Sequence, residues 1–268
     1  MLKKITSKAY IALVFLFLYA PIFVLIAYSF NESKSRTVWT GFTFDWYIKL
    51  FNNEVILKSL ANTLIIALIA AVVSTVLGTF AAIGIYNMKK LTRSLIVNIT
   101  YIPIMNSEMV TGVSLMLLFV ALKIDLGFFT LILAHITFCV PYVILNVLPK
   151  LRQMNKNLYD AALDLGCNPV QAFRHVIIPE IMPGIVTGFL MSLTYSIDDF
   201  VISYFTTGAG AQTLPITIYS MTRRKVSPEV NALSAIIFVV VLLILVIMNI
   251  KDIRDTAPKK RRNGGAAI

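Results

Sequence analysis

Two adjacent carboxylates, Asp198 and Asp199, lie inside the apolar segment 181–205, in the stretch YSIDDFVISYF. An ionised Asp at the centre of a membrane-spanning helix costs about 2.5–3.5 kcal/mol on insertion scales, so this pair needs compensation. Glu108 is a third carboxylate inside an apolar segment, and the interiors of these segments carry no Lys or Arg. Carboxylates without an internal counter-ion indicate a site that binds a cation.

Helical spacing separates the expected roles of the two aspartates. A polar stripe recurs at intervals of three and four residues, whereas Asp198 points about 100° away from it. The stripe consists of Ser192, Tyr195, Ser196, Asp199, Ser203 and Thr206. We expect Asp199 on a substrate pathway, with Tyr195 and Tyr204 offering cation–π contact of about 0.5–2 kcal/mol. We expect Asp198 to be hydrogen-bonded against a neighbouring helix or a partner subunit, and the alternative for both is a protonated, structural acid.

The composition indicates an integral membrane protein. Of the 268 residues 58% are hydrophobic and 14% are charged, and the mean hydropathy is +0.81. The net charge of +11 lies in short clusters between apolar runs, which favours membrane topology over nucleic-acid binding. Two cysteines do not indicate a disulfide framework. The absence of a clustered His/Cys set and of a nucleophile–base pair argues against a metal site and an enzyme.

Six apolar segments predict an all-α, polytopic membrane fold with about six transmembrane helices in one domain, 1–268. The segments are about 9–30, 60–86, 94–121, 128–149, 180–206 and 229–250. Each is close to the ~20 residues that cross the hydrocarbon core as a helix. The first follows three lysines, as in a signal peptide, but its length favours a retained span.

The distribution of basic residues predicts cytoplasmic N- and C-termini. Sixteen of the 24 Lys and Arg residues fall on the side that holds both termini, including the tail KKRRNGG. We interpret that tail as a solvated basic end that faces membrane lipid.

Three local features are predicted along the chain. In the third segment Pro103 interrupts the helix, Asn106 caps a new helix that starts at Ser107, and Glu108 lies in its first turn, either as a structural acid or lining a pathway. In the first outer loop, GFTFDWYIKLF pairs Trp46 with Leu50 and Tyr47 with Phe51 at i,i+4 spacing, which predicts a short interfacial helix. We interpret it as a membrane anchor, and the alternative is a contact with substrate or a partner. His135 is expected to be a packed, hydrogen-bonding residue.

The long inner loop, 151–179, predicts a helix-turn-helix. Residues 158–165 form the first helix, Gly166 ends it in a left-handed conformation, and Asn168 with Pro169 begins the second. Its residues resemble the E-A-A, G, I-x-L-P pattern of the permease subunits of ABC importers. The matching positions are Asp160, Ala161, Ala162, Gly166, Val176, Ile178 and Pro179, with Asp160 in place of the usual Glu.

Further segments resemble permeases of the spermidine/putrescine importer family, C-type subunit. These are LAHITFCVPYV, SIDDFVISYFTTG and LPITIYSMTRRKVSPEVNALS. The resemblance implies a type I ABC-importer permease fold in a bacterial plasma membrane and a polyamine substrate. It implies that Asp160, Ala161, Ala162, Gly166 and Pro179 couple the chain to an ATPase. The implied partners are a second permease subunit, an ATP-binding subunit dimer and an extracytoplasmic polyamine-binding protein.

This chain lacks a G-x-x-x-x-G-K-[ST] motif, so we expect ATP and Mg²⁺ in the partner ATPase and no cofactor here. Two alternatives are a permease for another cation or small solute and an ion-coupled secondary transporter. The secondary transporter would also use intramembrane acids, but it has no reason to carry the Ala-Ala-x-x-x-Gly loop.

Overall fold

The computed structural model describes residues 2–33, 38–155, 157–224 and 228–256. Within them the chain forms twelve α-helices and no strand beyond one antiparallel bridge between Asn31 and Phe42. The expected all-α fold class is therefore confirmed. The basic tail KKRRNGG lies outside the described residues.

One compact unit comprises Met1–Asn53 together with Met221–Ile268. It contains α1 (Leu2–Tyr28), α2 (Asp45–Phe51) and α12 (Pro228–Thr256), and α12 contacts both other helices. The short helix predicted in the first outer loop is thus present as α2. Its Trp46, however, is a core residue of the unit, 4% exposed, and its indole Nε1 donates a 2.7 Å hydrogen bond to the carbonyl of Asn31. The Trp46 indole thus packs inside the chain, whereas Ile48 and Phe51 of the same helix are 59% and 63% exposed, and the anchoring role of α2 stays a prediction.

The second compact unit, Glu54–Ser220, holds the cavity described below. Its helices are α3 (Glu54–Asn87), α4 (Lys90–Met105), α5 (Glu108–Ala121), α6 (Phe128–Gln153), α7 (Asn157–Asp164), α8 (Pro169–Ala172), α9 (Ile178–Asp198), α10 (Val201–Thr206) and the start of α11 (Leu214–Arg224). A π-helical turn, Phe173–Ile177, joins α8 to α9 without a break.

Among the described residues, four helical stretches are long and apolar enough to cross a membrane: Thr6–Tyr28, Glu54–Asn87, Phe128–Gln153 and Pro169–Asp198. The pair α4 and α5 makes a fifth span if it is counted as one, although it bends by 101°. The sixth predicted segment lies in α12, of which Pro228–Val240 is the described apolar part. A multi-pass architecture is confirmed, and the count of six stays a prediction.

The core of the second unit forms where α3, α6 and α9 cross. Val143 of α6 is fully buried between two glycines. A Cβ on Gly78 of α3 would lie 2.6 Å from the Val143 Cβ, and a Cβ on Gly188 of α9 would lie 3.1 Å from the Val143 Cα. The two glycines therefore allow the helix backbones to approach closely enough to enclose this side chain.

The interruption predicted in the third apolar segment is present between α4 and α5. Pro103 lies in the last turn of α4, and Glu108 is the first residue of α5. The predicted cap is wrong in detail, because Asn106 ends α4 and Ser107 is the N-cap residue of α5. The Ser107 side chain makes no capping hydrogen bond, so the break depends on the proline and on packing rather than on a side-chain cap.

Candidate functional site

Two helix breaks meet at one cavity in the second unit. The first lies between α4 and α5, and the second lies at residues 199–200, where α9 ends and before α10 begins. Helices α5 and α10 pack closely because Gly112 carries no side chain. A Cβ there would lie 3.0 Å from the Phe205 ring and 3.3 Å from the Ile202 Cα. Discontinuous helices at membrane depth are typical of transporter binding sites, because their irregular backbone needs a polar cavity.

The cavity measures about 210 Å³ and collects most of the intramembrane residues singled out in the sequence. Glu108, Asp198, Asp199 and Tyr195 all line it, and its described lining contains no Lys or Arg. Glu108 and Asp198 are exposed, whereas Asp199 is buried. Two carboxylates thus face the same space without a basic neighbour, as a site for a cation requires.

Both aspartates line the cavity, but they differ in burial, and the helical stripe from which their roles were expected is interrupted. Asp199 does not continue a helical stripe, because α9 ends beside it and its backbone is extended (φ −64°, ψ 123°). Its carboxylate accepts hydrogen bonds from the amides of Ile202 (3.2 Å) and Ser203 (2.7 Å) and from the Ser203 hydroxyl (2.7 Å). Asp199 therefore caps α10, and the break turns the exposed carboxylate of Asp198 to the cavity.

His135 is a packed, hydrogen-bonding residue, as the sequence predicts. It is 1% exposed, and its ring nitrogens lie 2.6 Å from the Ser196 hydroxyl and 2.9 Å from the Ser203 hydroxyl. Its Nε2 lies 3.6 Å from the Asp199 carboxylate. The imidazole thus joins α6 to both sides of the second helix break and holds the capped geometry in place.

Tyr142 is a cavity residue that the sequence analysis missed. Its ring stacks on that of Tyr195 with centroids 4.4 Å apart, and both rings line the cavity. Tyr142 follows His135 by seven residues, two turns along the same face of α6, and that spacing could have indicated it. The stacked pair adds an electron-rich surface beside the two exposed carboxylates, which suits an ammonium group.

Tyr204 does not line the cavity, in contrast to Tyr195. It lies on α10, 47% exposed, and its ring contacts those of Phe200 and Tyr219 at centroid distances of 5.6 and 6.2 Å. Phe200 itself lines the cavity and also contacts the Tyr219 ring, at a centroid distance of 4.7 Å.

The inner loop folds as the sequence predicts. Helix α7 ends at Asp164, and Gly166 follows with φ +89°, a left-handed conformation that favours glycine. The Cys167 amide donates to the carbonyl of Ala162 at 3.1 Å, which closes the turn. Asn168 then caps α8, accepting from the Gln171 amide at 2.8 Å.

The residues expected to couple to an ATPase lie on this loop. Asp160, Ala161 and Pro179 are exposed, while Ala162 is buried. Two further apolar side chains project near the turn, since Leu165 is 87% and Val170 is 73% exposed. Exposed apolar side chains at the tip of a rigid turn are typical of a protein contact surface.

Comparisons with known proteins relate these features to a family. Residues 74–259 match the family described as binding-protein-dependent transport system inner membrane component. The spermidine/putrescine transport system permease protein PotC of Haemophilus influenzae is 37% identical over 87% of this chain and 90% of its own length. The putrescine transport system permease protein PotI of Escherichia coli is 40% identical over 83% of this chain and 82% of its own length.

A solved structure has the same fold. It is a bacterial ABC transporter involved in the import of the acidic polysaccharide alginate, and the matching chain has a TM-score of 0.72 at 15% identity. The match covers 94% of this chain and 96% of the other. The expected type I importer permease fold is therefore confirmed, although this identity says nothing about substrate.

Proposed function

This chain belongs to the family of binding-protein-dependent transport system inner membrane components, and we propose that it is the permease subunit of an ATP-driven importer of polyamines such as spermidine or putrescine. The chain would form half of a translocation pathway. The observation that carries the proposal is the cavity at the two helix breaks, where the exposed carboxylates of Glu108 and Asp198 share a space with the stacked rings of Tyr142 and Tyr195.

The chemistry of this cavity suits a polyamine. Polyamines carry ammonium groups separated by apolar methylenes, so they need carboxylates at intervals with aromatic surface between them. Each charge-assisted hydrogen bond to such a carboxylate contributes about 1.5–3 kcal/mol. The same acidic cavity would repel an acidic polysaccharide. We therefore do not expect this chain to carry alginate, although it shares its fold with the alginate importer.

The relatives support the same substrate class, because both PotC and PotI are named for polyamine transport. A permease for another cation or small solute remains the competing hypothesis, and competition in an uptake assay separates the two.

A transport assembly follows from the family, and we propose its composition. The partners are a second permease subunit, an ATPase dimer that binds ATP and Mg²⁺, and an extracytoplasmic binding protein that delivers the polyamine. The α7–α8 loop would dock on the ATPase through Leu165, Val170 and the face that carries Ala161. Because Gly166 and the Asn168 cap make the loop rigid, a displacement at its tip would reach α6 and α9, which flank it.

The orientation in the membrane is a further part of the proposal, with the inner loop and both termini in the cytoplasm. Single cysteines at two exposed positions in a background without Cys139 and Cys167 test it. Lys90→Cys, at the start of α4, should react with an impermeant thiol reagent only after the membrane is permeabilised. Asp45→Cys, at the start of α2, should react in intact cells. Reaction of Lys90→Cys in intact cells would show that the orientation is wrong.

The substrate is tested by uptake of radiolabelled spermidine into proteoliposomes that hold the complete complex with ATP in the ATPase compartment. We expect ATP-dependent uptake that unlabelled putrescine or spermidine suppresses and that Na⁺, Mg²⁺ and neutral solutes do not. Suppression by Mg²⁺ alone, or ATP-dependent uptake of another solute without polyamine competition, would contradict the proposal.

A further inference from the structure

A second cavity lies at the end of the helix bundle, beside the inner loop. It measures about 810 Å³ and lies among the C-terminal end of α3, the first turn of α4, the end of α6, and α7, α8 and the π-helical turn. All of these elements belong to the second compact unit. Helices α3 and α6 are long and apolar enough to cross a membrane, and both end at this cavity, so we expect it near the lipid headgroups.

The polar lining of this cavity is basic. Arg93 and Arg152 line it together with the rings of Tyr86 and Tyr159, and its described lining contains no Asp or Glu. In the part of the chain that the structure describes, neither guanidinium lies within 4 Å of a carboxylate. Two positive charges therefore share one cavity without a protein anion to balance them.

The Arg93 guanidinium is held in a fixed position. Its Nη2 donates to the backbone carbonyls of Tyr86 (2.6 Å) and Met88 (2.9 Å), and its Cζ lies 5.6 Å from the centre of the Tyr86 ring. Its Nε is buried and has no hydrogen-bond partner among the described residues. The two carbonyl oxygens accept hydrogen bonds from one nitrogen of the guanidinium but do not neutralise its positive charge. That charge is available to an anion in the cavity.

The rest of the lining is apolar and includes Ile83, Leu151, Ile177 and Phe173. Such a cavity complements both parts of a phospholipid. The two arginines suit its phosphate, and the apolar wall suits its acyl chain. A soluble phosphate would use the arginines alone and leave the apolar wall uncovered.

We propose that this cavity binds a phosphate group through Arg93 and Arg152, and that an anionic phospholipid supplies it. The site is separate from the acidic cavity at the helix breaks and does not depend on which solute is carried. It would place a lipid between the spanning helices α3 and α6 and the loop that contacts the ATPase.

The test measures how much phosphatidylglycerol the complex retains. The complex is purified with its partner subunits and placed in nanodiscs of phosphatidylcholine and phosphatidylglycerol. It is then released from the nanodiscs and its bound lipids are identified by native mass spectrometry. The wild type should retain phosphatidylglycerol in preference to phosphatidylcholine. Arg152→Gln, an exposed position, should lower the apparent affinity about fivefold, since one arginine near a lipid surface contributes about 1 kcal/mol. Arg174→Gln removes the same charge from the same loop outside the cavity and should have no effect.

Arg93→Gln provides a second variant, in which we expect a comparable loss of phosphatidylglycerol affinity. The comparison uses complexes whose thermal stability shows that they are folded. An equal loss in Arg152→Gln and Arg174→Gln would overturn the proposal, since it would reflect general surface charge. A preference for phosphatidylglycerol seen only in permease stripped of its ATPase would also overturn it, because the partner would then cover the cavity. Displacement of the lipid by inorganic phosphate would support the phosphate site and assign it to a soluble anion. Since no transported solute is present, the result is independent of the polyamine assay.

Discussion

Neutralising Asp198 and Asp199 one at a time should separate transport from folding. Asp198 is exposed in the acidic cavity, so Asp198→Asn removes a charge from the proposed substrate site and disturbs few protein contacts. Asp199 is 9% exposed and accepts three hydrogen bonds, so Asp199→Asn should disturb the capped helix break instead. We expect lower uptake per assembled complex in the first variant and less assembled complex in the second.

The magnitudes follow from the contacts. A desolvated hydrogen bond between an ammonium group and a carboxylate contributes about 1.5–3 kcal/mol, so Asp198→Asn should reduce uptake efficiency roughly ten- to a hundredfold. Two of the bonds to Asp199 go to Oδ2 and one goes to Oδ1. An Asn oxygen can replace only one of these atoms, so its amide nitrogen would face a donor. The loss of that bond should destabilise the fold by about 1.5–3 kcal/mol.

The assay is radiolabelled spermidine uptake in vesicles, normalised to the amount of intact complex. Asp198→Glu keeps the charge and should retain most of the uptake. Asp125→Asn removes an exposed carboxylate that does not line the cavity and should behave as the wild type. The reasoning would be refuted if Asp198→Asn showed normal uptake per complex while Asp199→Asn assembled fully but took up less spermidine per complex. That result would support the assignment based on the helical stripe.

Three further variants test other parts of the structure. Gly166→Val should reduce substrate-stimulated ATP hydrolysis, because a non-glycine residue at φ +89° is strained by about 1–2 kcal/mol; Gly210→Val imposes the same strain at φ +86° outside the inner loop and should spare hydrolysis. His135→Leu should destabilise the complex by about 1–3 kcal/mol in thermal unfolding, because the buried Ser196 hydroxyl loses its partner and the Ser203 hydroxyl keeps only Asp199. Unchanged stability would contradict the bridging role. Gly78→Ala should cost about 1–3 kcal/mol by overpacking against Val143, and Val143→Ala in the same chain should restore part of that loss unless the two sites act independently.

The features that depend on local sequence could be predicted. The helix-turn-helix of the inner loop follows from Gly166 and Asn168, whose conformational preferences act within a few residues. The break in the third apolar segment follows from Pro103, which cannot donate a backbone hydrogen bond. The burial of Trp46 could not be predicted in this way, since its indole bonds to Asn31, 15 residues earlier, and its helix packs against α12, which is distant in the chain.

The different surroundings of the two aspartates have a physical cause. A stripe at helical spacing assigns directions only while the helix is continuous, and no Pro or Gly at residues 199–200 signals that it stops. The helix ends because the Asp199 side chain competes for the amides of Ile202 and Ser203, a preference that makes Asp common at helix starts. Three residues of the stripe nevertheless lie close together, since Ser196, Asp199 and Ser203 are buried around His135.

The two adjacent acids therefore have linked but different tasks. Asp199 is buried in the wall of the cavity and held by His135 and Ser203. It ends α9, and its carboxylate binds the first amides of α10. That turn leaves Asp198 exposed beside Glu108 at the first helix break. A single intramembrane carboxylate could not do both, because the hydrogen bonds that satisfy it as a cap are the ones that a cationic substrate would have to replace. In the proposed site, the charge that Asp198 offers to a substrate thus depends on a second carboxylate, Asp199, which the protein itself already hydrogen-bonds.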